Sequence, residues 1–164
     1  MRLFLYSVLA AAVYLLLLFP RWKKQRGRFL LLTVFYAYVC AVVYLTLLPI
    51  SATFDPNTFD GDYGNFIPFR DLKMGYGGAL KDIILNVIMT VPFGFLYPLI
   101  RKSGLIKTTV FGIFLSAVIE SLQLASRILG STYHIFDITD IISNTIGVFI
   151  GCLCCLILRR IIKR

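Results

Sequence analysis

Between His134 and Gly151 an apolar run carries Asp137, Asp140 and Asn144. Their i, i+3, i+7 spacing puts all three on one face of a helix, and Gly147 and Gly151 continue the stripe. A carboxylate inside hydrocarbon costs about 3 kcal/mol on insertion scales. Two of them on one face need a partner, a proton, a metal ion or water. Other apolar runs supply candidates. Glu120 is followed by Gln123 and Arg127 at i+3 and i+7, and Asp82 and Asn86 stand one turn apart. His134, the single histidine, could serve as general base, metal ligand or interfacial residue.

Three uses fit these residue types. Glu120, Asp137 and Asp140 could share a divalent cation, which prefers oxygen ligands, or work as an acid–base set with His134 in an enzyme acting on a lipid headgroup. The same polar face could instead bind the headgroup of an amphiphile. A proton-coupled transporter would also use buried carboxylates, but five spans are few for one. No nucleophile motif or recognised metal spacing selects an enzyme, so catalysis stays open and no cofactor is certain.

The elements that must position these groups are membrane spans. Of 164 residues, 59% are hydrophobic and 15% charged, against about 25% charged in an average soluble domain. Mean hydropathy is +0.83. A soluble domain could not hide this much apolar surface. The reading is a single all-α, polytopic membrane domain over residues 1–164. Five spans near the roughly 20 residues a bilayer requires fall at about 3–19, 29–50, 80–100, 108–126 and 137–158. The net charge of +9 does not indicate nucleic acid, because the basic residues flank apolar runs and form no separate basic domain. Cys40, Cys152, Cys154 and Cys155 all lie in apolar runs and imply no disulfide framework.

Charge placement sets the expected orientation. Arg21, Lys23, Lys24, Arg26 and Arg28 follow the first span, Arg101, Lys102 and Lys107 follow the third, and Arg159, Arg160, Lys163 and Arg164 follow the fifth. These alternate connections hold twelve of the 17 basic residues and none of the eight acids. The positive-inside rule puts them in the cytoplasm, with the N-terminus outside and the C-terminus inside. The basic cluster lies after the first apolar run, the reverse of a cleavable signal peptide.

This topology forces a coincidence. The third and fifth spans enter from outside, so Asn86, Asp137 and Asp140 lie in their outer turns. The fourth runs outward, and Glu120 sits about 18 Å along it from residue 108. Three spans therefore bring polar faces to one depth. Asn65, Asn86, Glu120, Gln123, Arg127, Asp137, Asp140 and Asn144 are the candidate ligand-binding set. Plainer roles compete: Asp82, Asp137 and Arg127 could sit at the water interface, and Gln123 and Asn144 could be interhelical hydrogen-bond partners. The long connection from Ser51 to Ala79 is rich in aromatics, which suits an interfacial or re-entrant segment, or an aromatic belt on the headgroups.

Asn86 with Pro92-Phe-Gly-Phe-Leu-Tyr-Pro98, then Glu120-x-x-Gln123, then Phe136-Asp-Ile-x-Asp140-x-x-x-Asn144-x-x-Gly147-x-x-x-Gly151 resembles the VanZ-like family. Asn65-Phe-Ile-Pro-Phe69 resembles its Asn-x-Ile-Pro-Phe element, so the likeness covers about residues 65–151. Two positions depart. Thr90 stands where the family usually has an apolar or aromatic residue. Tyr133-His134 stands where it commonly has Gly-Arg, and a histidine carries charge only when protonated. The resemblance implies a multi-pass protein of the bacterial plasma membrane, part of the cell envelope and associated with teicoplanin resistance. Its expected partner is a membrane lipid, a lipid-linked cell-wall precursor or a lipoglycopeptide, and a homo-oligomer is compatible.

Overall fold

The computed structural model describes residues 2–47, 64–128 and 135–162. His134 and most of the aromatic connection lie outside the described residues. Among the described residues, five helices are long and apolar enough to cross a membrane: Phe4–Trp22, Phe29–Leu47, Ala79–Arg101, Leu105–Ile128 and Ile138–Ile162. Each coincides with an expected span to within about one turn. The chain is a multi-pass helical membrane protein. It divides into two compact units, Met1–Ala41 and Val42–Arg164.

The first unit contains α1 (Arg2–Val13), a π-helical turn (Tyr14–Leu18), α2 (Phe19–Trp22) and most of α3 (Phe29–Leu47). Pro20 has no N–H to offer the Leu16 carbonyl. The preceding turn is wound wide, and the Phe19 N–H reaches back to the Tyr14 carbonyl. Burying apolar faces against each other gains little in lipid, so polar and aromatic contacts hold such helices together. Here Tyr6 Oη donates to the Cys40 carbonyl at 2.6 Å and Tyr36 Oη to that of Ala10 at 2.8 Å. Tyr14 hydrogen-bonds Thr33 at 2.8 Å and stacks on Tyr36 with centroids 5.6 Å apart.

The second unit carries α5 (Ala79–Arg101), α6 (Leu105–Ile128) and α7 (Ile138–Ile162), preceded by the short helix α4 (Arg70–Lys73). Two-residue strands β1 (Gly64–Asn65) and β2 (Phe136–Asp137) pair in parallel, Gly64 with Phe136 and Asn65 with Asp137. Helices α5 and α7 pack backbone against backbone. A Cβ on Gly94 would strike the Val148 carbonyl, one on Gly147 the Thr90 hydroxyl and the Val87 carbonyl, and one on Gly151 the Val91 carbonyl. Gly112 of α6 admits the Val148 side chain in the same way. Small residues that let helices approach this closely are the usual means of membrane helix packing. Helix α5 runs unbroken through Pro92 and Pro98. Near its end the Pro98 carbonyl accepts both the Lys102 N–H at 2.9 Å and Arg159 Nη2 of α7 at 2.7 Å.

Thr90, the position that departs from the family pattern, has a structural use. Its hydroxyl lies 2.9 Å from the Asn144 carbonyl on α7 and the same distance from the Asn86 carbonyl on its own helix. Thr90→Val keeps the shape and removes the donor. It is expected to cost about 0.6 kcal/mol, the average for an interhelical hydrogen bond in a membrane protein, measured as a small loss in SDS-titration stability. A loss above about 2 kcal/mol would mean that the hydroxyl has a further partner.

Candidate ligand-binding site

The site forms where the N-termini of α5 and α7 meet the C-terminal part of α6. Its central residue is Asp137, the last before α7. Asp137 Oδ1 accepts the Thr139 N–H at 2.7 Å, capping the free amides of the helix N-terminus. Its Oδ2 accepts Asn65 Nδ2 at 3.2 Å, and its own N–H donates to Glu120 Oε2 at 3.0 Å. One residue thus ties α7 to α6 and to the segment that carries β1.

That segment is fastened at three further points. Gly64 has φ +152°, and a Cβ there would strike Phe136, so glycine is required for β1 to approach β2. The Phe66 ring stacks on Phe136 at 5.0 Å. Phe69 adopts a left-handed conformation, φ 59°, ψ 26°, which costs a non-glycine residue about 1 kcal/mol. Its N–H donates to Thr139 Oγ1 at 3.0 Å, offsetting the strain. The Asn-x-Ile-Pro-Phe element is therefore a clasp across the start of α7.

Under this clasp lies a cavity of about 430 Å³, lined by polar Asn65, Arg70, Asp71, Asp82, Asp137, Thr139 and Asp140 and by apolar or aromatic residues that include Phe69, Tyr76, Ile83 and Ile135. The volume is within the usual range for small-molecule sites. Asn86 lies within hydrogen-bonding reach of the Asp140 carboxyl, and Asp71, Asp82 and Asp137 are close enough to repel it. Glu120, 2% exposed, stands behind Asp137 as the acceptor of its amide and does not line the cavity.

Asn65, Asn86, Glu120, Asp137 and Asp140 come together. Gln123 and Asn144 are placed elsewhere, for reasons of helix geometry. Gln123 follows Glu120 by three residues, so it is turned about 60° around α6. Its Nε2 donates to the Thr46 carbonyl of α3 at 2.9 Å. Asn144 lies one turn deeper than Asp140, and its Nδ2 donates to Ser116 Oγ at 2.9 Å. Its Oδ1 has no partner among the described residues. Both residues serve helix packing. Arg127 is in the last turn of α6 and does not line the cavity. Among the described residues, no three His, Cys, Asp or Glu side chains are grouped to hold a metal ion.

The sequence leaves Asp82 open between a polar partner of Asn86 and an interfacial residue, and it passes over Arg70, Asp71 and Thr139 as site residues. One signal could have found the acids. Asp71, Asp82 and Asp140 each occupy the first turn of a helix, where a carboxylate is favoured by the macrodipole.

Fold and site define a class: a multi-pass helical membrane protein with a polar cavity at one end of its closely packed last three spans. The family model of VanZ/LLP1 matches residues 35–159, and the chain belongs to that family. It is similar to Protein VanZ of Enterococcus faecium, 37% identical over 75 residues. That alignment covers 45% of this chain and 44% of the relative, less than half of each. No solved structure matches.

Proposed function

We propose that the protein is a cell-envelope component of VanZ type, which holds the headgroup of an amphiphile in this cavity and alters the action of glycopeptide antibiotics. The observation that carries the reading is the cavity itself. Asp82, Asp137, Asp140 and Asn65 line one end of the spans, beside Phe66, Ile67 and Tyr76, which are about 60% exposed (60%, 58% and 58%). Polar groups would take the head and the exposed apolar residues the chain. The ligand is a lipid-linked cell-wall precursor or a lipoglycopeptide such as teicoplanin.

The cavity faces outward in this reading. Arg101, Lys102, Lys107, Arg159 and Arg160 are all at the opposite ends of the same three helices, and the positive-inside rule assigns that end to the cytoplasm of a bacterial plasma membrane. In a teicoplanin-susceptible bacterium, expression is expected to raise the inhibitory concentration of teicoplanin at least about fourfold, a difference near 1 kcal/mol. Asp140→Ala at equal membrane abundance is expected to remove that protection. Full protection by the variant would sink the assignment of this cavity.

A further inference from the structure

The charge of the cavity lining bears on which headgroup it takes, an inference that rests on the reading of the cavity as an amphiphile site. Among the described residues, Asp71, Asp82, Asp137 and Asp140 line it, and Arg70 is the one cation that does. Lys73 and Lys81, on the same helices, are exposed and do not line it. The helix N-termini oppose this negative charge. Each contributes roughly half a positive charge, so α5 and α7 together offset about one carboxylate. Among the described lining residues, four carboxylates against one guanidinium and two helix ends leave about two negative charges. With one of the four protonated the balance is still negative.

The acids also differ in what they have left to give. Asp137 has both oxygens engaged, by Thr139 and Asn65. Asp71 and Asp82 receive no side-chain hydrogen bond or ion pair from another described residue. Their acceptors, with part of Asp140, remain for a ligand. Phe69 and Tyr76 stand in the same wall, and aromatic faces attract cations.

We infer that the cavity selects amphiphiles whose headgroup carries a protonated amine and disfavours those that present phosphate or pyrophosphate. The remaining acceptors of Asp71, Asp82 and Asp140 suit the three N–H donors of an ammonium group. A phosphate there would meet like charge with one arginine to pair it, and opposing like charges are a strong discriminator between ligands. An amphiphile that carries both groups presents its amine to this site.

The test uses the full chain in phosphatidylcholine nanodiscs at pH 7. The probes are a fluorescent long-chain primary alkylamine and the alkyl phosphate of the same chain, each corrected for binding to empty discs. The amine is expected to bind at least about tenfold tighter. Asp82→Asn, at an exposed position where folding is not at stake, is expected to weaken the amine at least about threefold and to narrow the gap. Asp140→Asn should act in the same direction. Equal or tighter binding of the phosphate, still weakened or strengthened by Asp140→Asn, overturns the amine preference and leaves the cavity as the amphiphile site. Binding of neither probe above empty discs, or binding of both that neither variant alters, overturns the preference and the cavity reading together.

Discussion

Gly151→Ala is expected to lower the stability of the protein by about 3 kcal/mol, the upper end of the range for overpacking, and Gly151→Leu to leave no folded protein to purify. The reason is the nature of the obstacle. An added Cβ at residue 151 meets the Val91 carbonyl and, at 2.9 Å, the Phe95 amide nitrogen, both main-chain atoms of α5. A side chain could rotate away at small cost, but a helix backbone cannot, so α5 and α7 would have to separate. The separation would spread: Gly147 and Gly94 make the same kind of approach, and Thr90 would lose the Asn144 carbonyl. SDS-titration unfolding in mixed micelles reads the effect. Gly104→Ala is the control, since nothing lies within 4 Å of a Cβ there, and it should change stability by less than about 1 kcal/mol. Equal stability of Gly151→Ala and the parent would mean that α5 and α7 do not pack as described.

Gly147 and Gly151 show what the sequence makes legible. Their place on the Asp137, Asp140, Asn144 stripe follows from helical periodicity alone, and so does their role as packing residues. The single stripe then splits by depth. Its outer members line the cavity, while Asn144, Gly147 and Gly151 are buried against neighbouring helices. Composition and hydropathy placed the five spans because an apolar run of that length has few other uses. Alternating topology brought Glu120 to the level of Asp137, where the two are in fact bonded. The clasp was not legible. Two-residue strands carry no periodicity, and the partners Asn65 and Asp137 stand 72 residues apart. Nor does a sequence show which way a side chain turns about its helix, which is why Gln123 groups with Glu120 by spacing and bonds Thr46 in the fold.

Asp137→Ala is expected to open the clasp while leaving the packed helices intact. The substitution removes the cap on α7, worth about 1 kcal/mol, and strands the Asn65 amide, which is 8% exposed, at a further cost of about 1 kcal/mol. It spares the bond to Glu120, because the residue 137 N–H remains. The loss therefore falls on residues 64–69, and hydrogen exchange should report it there. The Phe69 amide, bonded to Thr139 Oγ1 in the parent, is expected to exchange about tenfold faster, as about 1.4 kcal/mol of lost protection requires. Amides of α5 and α7 around Val91 and Val148 should keep their rates. Asp137→Asn retains the capping oxygen, and Asn65 can turn its amide to meet the new group only by giving up the Ile67 N–H it accepts at 3.4 Å. That variant should fall between the parent and alanine. Faster exchange throughout α5 and α7 would show that Asp137 supports the whole bundle, and unchanged exchange at Phe69 would show that the clasp is held without it. The expected pattern makes the clasp a local unit, able to open over the cavity without unfolding the spans beneath.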